Sequence, residues 1–379
     1  MNILILANHF NPGGISSYIL NLAQGLAVKG HQVYVGSAGG EWVERLKKNN
    51  IEHINLPLKT KSIISPKLLF AYFALKRIIK EEKIDIIHSQ TRVTSVLAYC
   101  LSRKTLVPFI STAHGFFKPR WVRLRFPCWG DSVIAISEAV KEHLIADFKV
   151  APDRIRLVHN GISLNREPLD FARGRQGIEN PSTSLGAGRE QIRKGLGLKE
   201  GPVVGIIARL SEVKGHKYLI QAMKKVIAQI PQVQLLSVGD GVIKKELENL
   251  ARGLGIAQRI SFVPAVADTR EALSVMDVFV MPSLQEGLGL SIMEAMLSGL
   301  AVIASSVGGI PSLIKDGHTG ILVEPKDAEA LAKAIISLLR DNKKASELGK
   351  NARELIVKEF SLERMVQKTQ EAYRLCLKQ

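Results

Sequence analysis

Residues 281–309 read MPSLQEGLGLSIMEAMLSGLAVIASSVGG, an apolar strand that passes through a glycine-rich turn into a helix. The turn holds Gly287 and Gly289, and glycine lets main-chain amides approach a ligand closely. The helix that follows points its partly positive N-terminus at the same place. Glu286 and Glu294 stand on either side of the turn. The segment therefore predicts an anion-binding pocket with two carboxylates at its rim.

These carboxylates have two interpretations. A sugar nucleotide would use the whole pocket, because amides and a helix end bind its diphosphate and carboxylates accept hydrogen bonds from its hydroxyl groups. Alternatively, Ser291 and Glu294 form a capping box at the helix start, and Glu286 is a solvated loop charge. The segment alone leaves both open.

Apolar runs alternate with helical patterns along the chain, which is typical of a parallel, doubly wound sheet. The first series has strands at 3–7, 31–36, 84–88, 107–113 and 133–136, with helices at 16–29, 66–80 and 94–103. The second has strands at 203–208, 234–238, 260–263, 277–281, 301–304 and 320–323, with helices at 218–229, 244–254 and after residue 289. The sequence therefore predicts an α/β protein with two Rossmann-like domains.

The length of 379 residues also favours two domains. We place the N-terminal domain at 1–165 and the C-terminal domain at 200–361. Residues 166–199 are the linker, where the run ARGRQGIENPSTSLGAGRE has little to bury and predicts a disordered insertion. The amphipathic end of the chain, residues 362–379, is expected to pack back on the N-terminal domain.

Composition narrows the class of protein. Cys100, Cys128 and Cys376 are widely spaced, which favours a reducing cytosol over a disulfide framework or a zinc site. The N-terminus begins with a short apolar strand without a basic region, and no apolar run approaches the roughly 20 residues that span a bilayer. We expect a cytoplasmic protein, soluble or peripheral on the inner face of the plasma membrane.

The formal net charge is +17. Such a field attracts nucleic acid, anionic lipid or an acidic substrate. Nucleic-acid binding is one alternative class, but no helix-turn-helix, zinc or single-strand-binding signature is present, so we expect no nucleic-acid partner. An NAD-dependent oxidoreductase would need a GxGxxG motif after a strand, and the sequence has none.

Two cations follow the first strand of the second series. Arg209 and Lys214 lie five positions apart, before Gly215 and a helix. In a doubly wound sheet the loops at strand C-termini line the ligand crevice, where these charges would neutralise a diphosphate. Alternatively, they are two surface charges on a loop.

The order of these motifs resembles that of retaining glycosyltransferases of family 4. The C-terminal half carries the match in Arg209…Lys214-Gly215, Gly239-Asp240-Gly241, Pro282-Ser283, Glu286-Gly-Leu-Gly…Glu294, Gly308-Gly309 and Gly320-x-Leu-Val-x-Pro325. The N-terminal half adds Asn11-Pro-Gly13-Gly14, Thr112-Ala-His114-Gly115, Ser137-Glu138 and His159-Asn160-Gly161-Ile162. Departures are the junction insertion, Leu288 in place of an aromatic residue, and Pro264-Ala265 where the family commonly has a glycine after the strand.

The resemblance implies a GT-B fold, with two Rossmann-like domains facing across a cleft. It implies that Arg209 and Lys214 hold the donor diphosphate and stabilise the leaving group, that Glu294 binds the ribose, and that Glu286 and His114 contact the donor sugar. Main-chain amides of the donor site would come from Gly14, Gly287, Leu288, Gly289 and Leu290. No metal and no cofactor are expected, because Gly239-Asp240-Gly241 contains no DxD pair and the two cations can replace a divalent ion.

The acceptor side of the resemblance falls on basic, apolar segments. Residues 67–80 form a basic amphipathic helix, and residues 116–126 interleave aromatic and basic side chains. Both predict contact with an anionic membrane surface, or else a core-facing helix and a solvated loop. The acceptor-side residues are Gly13, Lys118, Arg120, Arg123 and Arg125.

We therefore predict a retaining, metal-independent hexosyltransferase. Its donor would be a UDP-, GDP- or ADP-sugar, and its acceptor a glycan or lipid-linked molecule in cell-envelope polysaccharide or lipopolysaccharide synthesis. A nucleotide-sugar epimerase with the same two-domain fold is the alternative enzyme.

Overall fold

The computed structural model describes residues 1–60, 62–63, 65–164, 184–266 and 268–378. The chain divides into two compact units. Unit 1 comprises Met1–Ser163 with Phe360–Gln379, and unit 2 comprises Leu164–Glu359. Residues 166–183 of the predicted linker lie outside the described residues. The end of the predicted insertion, from Ser184 onward, belongs to a helix.

Unit 1 is built on a seven-stranded parallel sheet in the order β3-β2-β1-β4-β5-β6-β7. Its strands are β1 Asn2–Leu6, β2 Gln32–Ser37, β3 Glu52–Asn55, β4 Ile86–Ser89, β5 Phe109–Ala113, β6 Ser132–Ala135 and β7 Ile155–Leu157. The central strands are apolar because both sheet faces are covered. Sequence patterning missed β3 and β7, which are short, partly exposed edge strands with little apolar signal.

The helices of unit 1 follow its strands, and three of them begin at a capping residue or a proline that favours a helix start. Thr91 caps the fourth helix in a capping box with Thr94, Ser137 caps the sixth, and Pro66 opens the third at a position that tolerates a missing N–H. These helices are α1 Gly14–Val28, α2 Val43–Lys47, α3 Pro66–Glu81, α4 Arg92–Thr105, α5 Trp121–Arg125 and α6 Glu138–Phe148.

Unit 2 repeats the plan with a six-stranded parallel sheet in the order β10-β9-β8-β11-β12-β13. Its strands are β8 Val203–Ile207, β9 Gln234–Val238, β10 Ile260–Val263, β11 Val278–Met281, β12 Ala301–Ser305 and β13 Ile321–Val323. Its helices are α7 Ser184–Gly195, α8 His216–Gln229, α9 Lys244–Gly253, α10 Arg270–Val275, α11 Leu290–Leu297, α12 Ile310–Leu313, α13 Ala328–Arg340 and α14 Asn342–Glu359.

The strand order of each sheet contains one reversal point. It lies between β1 and β4 in unit 1 and between β8 and β11 in unit 2. Ligands of open parallel sheets bind outside the carboxyl ends of the strands at such a point. Gly13 and Gly14 follow β1, Arg209 and Lys214 follow β8, and the glycine-rich turn follows β11. The topology therefore places these predicted residues at the sheet edges where open parallel sheets usually bind ligands.

The last helix, α15 Leu362–Leu377, belongs to unit 1 and packs beside α1. Gly25 of α1 makes this approach possible, since a Cβ there would lie 2.4 Å from Cγ2 of Val366. The hydroxyl of Tyr373 hydrogen-bonds Nδ1 of His88 at 2.7 Å, and Nε2 of His88 bonds Thr112 at 2.7 Å. Burial of these groups is complete or nearly so. The helix is thereby tied to the sheet through β4 and β5.

Replacing Tyr373 with Phe tests this bridge. We expect Tyr373→Phe to lower the free energy of unfolding by about 1–3 kcal/mol, because Nδ1 of the buried His88 loses its partner. Urea denaturation measures the loss. The control is Arg374→Gln on the exposed side of the same helix, which should stay within about 0.5 kcal/mol of the parent. Equal losses in the two variants would contradict the bridge.

Candidate functional site

The site in unit 2 is formed by two loops that touch through their main chains. The loop after β8 ends in Gly215, and the loop after β11 starts at Pro282. The amide of Leu284 donates to the carbonyl of Val213 at 2.8 Å. Gly215 has φ +69°, and a Cβ there would lie 1.8 Å from the carbonyl oxygen of Pro282. Only glycine permits this approach, which brings together the side chains of the two loops.

Lys214 and Glu286 form an ion pair across these loops. Nζ of Lys214 donates to Oε2 of Glu286, and the hydroxyl of Ser283 donates to the same oxygen at 3.4 Å. The side chains keep 20% and 13% of their surface exposed. The main chain of Glu286 is held as well, since its carbonyl accepts the amide of Gly309 at 3.0 Å. The structure therefore brings one predicted cation and one predicted carboxylate into direct contact.

Arg209 lies on the same loop as Lys214. It is exposed, and no salt bridge to it is found among residues 1–60, 62–63, 65–164, 184–266 and 268–378. The main chain of its loop packs closely on Gly239 and Gly241, where a Cβ would lie 2.1 Å and 1.9 Å from the carbonyl oxygens of Ala208 and Leu210. The exposed guanidinium group remains available to an anion.

The glycine-rich turn leads directly into α11. Gly289 is the N-cap with φ +98°, and Ser291 lies inside the helix without capping it. The capping-box interpretation of Ser291 and Glu294 is therefore wrong at this helix. Glu294 instead accepts a hydrogen bond of 3.0 Å from the hydroxyl of Thr269. Leu288 is 1% exposed with its main chain included, so its side chain packs within unit 2.

His216 opens α8 directly behind this site. Its ring is buried, and neither ring nitrogen has a hydrogen-bond partner in the described part of the chain. Burial, and secondarily the charge of Lys214, lower the pKa of His216 to about 4. The imidazole therefore stays neutral at pH 7 and leaves the positive charge of the site to Lys214 and Arg209.

The unit 1 candidates lie at the carboxyl edge of its sheet. Gly14 is the first residue of α1, and Gly13 precedes it as N-cap. His114 follows β5 and bonds the side chain of Gln90 through Nε2 at 2.8 Å. Its ring also meets Tyr18 edge-on, with centroids 4.8 Å apart. Desolvation by the surrounding protein lowers the pKa of His114 to about 4, so at pH 7 the imidazole is a neutral hydrogen-bonding group.

The four basic residues around α5 differ in their exposure to solvent. Lys118, Arg120 and Arg125 are exposed. Arg123 is half-buried, and its guanidinium carbon lies 4.0 Å from the centroid of Phe117. The sequence interpretation treated all four as one surface group, because alternation of basic and aromatic residues does not show which side a short helix turns inward.

Sequence reasoning missed the partners of the predicted residues. Thr269, which holds Glu294, stands in a segment without a motif. Gln90, which holds His114, follows β4 as His114 follows β5, and these strands are neighbours in the sheet. Because Gln90 and His114 each follow one of two neighbouring strands, the sequence could have predicted that they lie close together. No comparable pattern in the sequence indicates Thr269.

Two negative findings apply to the part of the chain that the structure describes. It contains no cluster of three or more His, Cys, Asp or Glu side chains arranged to hold a metal ion. Its helices include none that combines the length and apolar character needed to cross a bilayer.

Family models match both halves of the chain. Residues 12–166 match Glycosyltransferase Family 4, and residues 188–355 match Glycosyl transferases group 1. The two matches together cover most of the sequence, and each falls largely within one of the two units.

Known proteins are similar over most of their length. The alpha-maltose-1-phosphate synthase of Mycolicibacterium smegmatis is 31% identical over 77% of this chain and 79% of its own. The UDP-Gal:alpha-D-GlcNAc-diphosphoundecaprenol alpha-1,3-galactosyltransferase of Escherichia coli is 29% identical over 84% and 82%. The Anabaena protein Alr3699/HepE, solved with UDP and glucose, superposes with a TM-score of 0.83 at 24% identity over 99% of each chain. The predicted GT-B fold is confirmed.

The close approach of the two loops predicts the cost of a methyl group at Gly215. Gly255 is the matched control, since it has φ +72° but no atom within 4 Å of a built Cβ. Gly255→Ala should cost about 1–2 kcal/mol for its left-handed backbone alone. Gly215→Ala should cost about 1–3 kcal/mol more, because the methyl group meets Pro282. Chemical denaturation of both variants measures the difference, and equal costs would refute the contact.

Proposed function

The chain belongs to the group 1, family 4 glycosyltransferases, and on that premise we propose that it transfers a hexose from a nucleotide sugar with retention of configuration. The observation that carries the proposal is the contact of Lys214 with Glu286 across interlocked loops at the reversal point of the unit 2 sheet, with Arg209 on one of these loops. The relatives' names support the donor class, since the Escherichia coli enzyme is named for UDP-galactose.

The cations of this site suit a departing nucleoside diphosphate. Negative charge grows on the leaving phosphate as the glycosidic bond breaks, and donors already in place stabilise it without reorganisation. Arg209 presents a forked guanidinium that has no acidic partner in the described part of the chain, so we assign it the diphosphate. The amides at the start of α11, from Gly289 and Leu290, add the positive end of a helix.

Lys214 has a second task in this proposal. Its contact with Glu286 supplies a counter-charge that holds the carboxylate in place. The carboxylate of Glu286 can accept hydrogen bonds from sugar hydroxyl groups and oppose the positive charge of an oxocarbenium-like transition state. We assign the ribose to Glu294, held by Thr269. His114, neutral at pH 7, would bond a donor hydroxyl without adding charge.

We further propose that transfer needs no metal ion. Arg209, the amides at the start of α11 and Lys214, whose charge is shared with Glu286, together provide the positive potential that a divalent cation supplies in other nucleotide-sugar sites. The carboxylate of Asp240 is committed to the fold, because one of its oxygens accepts the amide of Ala265 at 2.8 Å. Retention needs no second carboxylate on the opposite face if the leaving phosphate takes the proton of the acceptor.

The acceptor is proposed to be a glycan or lipid-linked molecule of the cell envelope, met at an anionic membrane surface. Helix α3 buries Leu68, Ala71, Leu75 and Ile79, and exposes Phe70 and Phe73 by 72% and 61%. Lys67, Lys76, Arg77 and Lys80 are exposed on the same helix. On α5, Trp121 is 73% exposed. Exposed aromatics with basic neighbours suit the headgroup boundary of anionic lipid.

Nucleotide-sugar binding and turnover test the site. Across UDP-, GDP- and ADP-sugars, Arg209→Ala should weaken nucleotide affinity by about 10- to 100-fold, because a charge-assisted contact is lost. Glu286→Ala should lower kcat by about 100-fold or more while nucleotide affinity changes little. Titration calorimetry measures nucleotide affinity, and release of nucleoside diphosphate measures turnover.

The controls are Arg252→Ala and Glu354→Ala, which change residues exposed on unit 2. Turnover unaltered by either site substitution would reject the assignment.

Vesicle binding tests the membrane contact. The protein should sediment with phosphatidylglycerol vesicles at low salt and not with phosphatidylcholine vesicles. Phe70→Ser with Phe73→Ser should weaken binding by about 10-fold or more, since each removes a ring that would enter the interface. Val242→Ser, which changes a residue 93% exposed in unit 2, is the control. Equal sedimentation with both vesicle types, or with none, would contradict the proposal.

A further inference from the structure

Unit 1 contains a cavity of about 290 Å³ that the proposed roles leave without an occupant. It lies at the carboxyl ends of β4 and β5, the strands that end just before Gln90 and His114. The other walls include Arg92 at the start of α4, Arg123 from α5, and Trp129. Two cations and the neutral His114 therefore line one partly open cavity.

Arg123 is fixed in the wall by aromatic rings. Its guanidinium carbon lies 4.0 Å from the centroid of Phe117, 5.4 Å from that of Trp129 and 5.8 Å from that of Phe148. Burial, and then the charge of Arg92, lower the pKa of Arg123 to about 10, so the side chain remains positive at pH 7. The rings hold the guanidinium flat and leave its edge for a hydrogen-bonding partner.

Arg92 is held by main-chain carbonyl groups. Its guanidinium donates to the carbonyls of Phe126 and Pro127, in the segment between α5 and Trp129. Neither Arg92 nor Arg123 lies within 4.0 Å of an acidic side chain in the described ranges, 1–60, 62–63, 65–164, 184–266 and 268–378. The two guanidinium groups are close enough for the charge of Arg92 to lower the pKa of Arg123, and neither has an acidic counter-charge among the described residues. This arrangement costs free energy unless a ligand supplies the anion.

Residues of the wall also carry N–H donors that have no acceptor in the described part of the chain. Nε1 of Trp129 is one of them, in a residue 7% exposed. Nε of Arg123 is likewise buried and unpaired there. Nε2 of Gln90 is a third such group, in a residue 2% exposed whose Oε1 is taken by His114. Buried N–H groups are rarely left unpaired, so three such donors in the residues of one wall favour an occupant that accepts hydrogen bonds.

We propose that this cavity binds a phosphate group of the acceptor substrate. A phosphate offers up to two negative charges and several acceptor oxygens, which matches two guanidinium groups and the unpaired N–H donors, whereas a carboxylate offers one charge and two oxygens. The link to the acceptor rests on the proposed glycosyltransferase function, but the phosphate site itself does not. His114 in the same wall places the phosphate beside a residue assigned to the donor sugar.

Titration calorimetry with inorganic phosphate tests the site. At constant ionic strength, phosphate should bind one saturable site, while acetate should bind at least 10-fold more weakly. Trp129→Phe, which keeps an aromatic ring, should raise the Kd for phosphate about 5- to 10-fold, and Arg123→Gln more than 10-fold. Arg103→Gln, exposed on α4, is the matched control and should leave the Kd unchanged.

A second arm separates this cavity from the proposed diphosphate site of unit 2. Arg209→Ala should retain phosphate binding if the cavity is the site. Loss of phosphate binding in Arg209→Ala, with binding unchanged in both Trp129→Phe and Arg123→Gln, would overturn the assignment. Equal binding of acetate and phosphate would overturn it as well. Trp129→Phe retains ring packing, so its result stands even if Arg123→Gln fails to fold.

An acceptor panel tests the link to transfer. Glucose 1-phosphate and a short polyprenyl diphosphate sugar represent a soluble and a lipid source of phosphate, and methyl α-glucoside is the neutral comparison. Transfer to either phosphorylated acceptor, weakened at least 10-fold in Trp129→Phe while nucleotide affinity is unchanged, supports the proposal. Transfer to methyl α-glucoside of equal efficiency overturns it. Phosphate binding in the cavity without any nucleotide-sugar turnover would instead reject the proposed function and leave the phosphate site standing.

Discussion

The approach of Gly215 to the carbonyl of Pro282 is the contact on which the unit 2 site depends. It brings the loop after β8 against the loop after β11, and the hydrogen bond from Leu284 to Val213 fixes their register. A side chain at Gly215 would separate the loops, and Lys214 could then no longer meet Glu286. The sheet order is the wider cause, because β8 and β11 are neighbours where the order reverses.

The distribution of counter-charges distinguishes the cations of the molecule. Lys214 has its counter-charge within the protein, in Glu286, whereas Arg209, Arg92 and Arg123 have none in the described part of the chain. A cation with a protein partner holds a carboxylate in place, whereas a cation without one retains its attraction for a ligand anion. Our proposals follow this difference, with the donor diphosphate at Arg209 and an acceptor phosphate between the two arginines of unit 1.

Sequence patterning predicted the α/β class and the central strands of both sheets, because strands covered on two faces must be apolar. It missed β3 and β7, whose edge positions relax that requirement. The motifs also named the family, which is confirmed. The roles of Glu286, Arg209, Lys214 and His114 stay predictions, although the structure brings Lys214 into contact with Glu286. The capping-box alternative for Glu294 failed because Gly289, not Ser291, ends the turn.

The sequence by itself determined the periodicity, the glycine positions and the order of the motifs, since each depends on neighbours along the chain. Only the tertiary structure decided which groups meet across long separations. Tyr373 reaches His88, Thr269 reaches Glu294, and Arg123 turns inward against Trp129 instead of joining the exposed Arg125. Such pairings depend on the packing of helices and loops against a sheet, and a local pattern does not specify which side chain a cavity will receive.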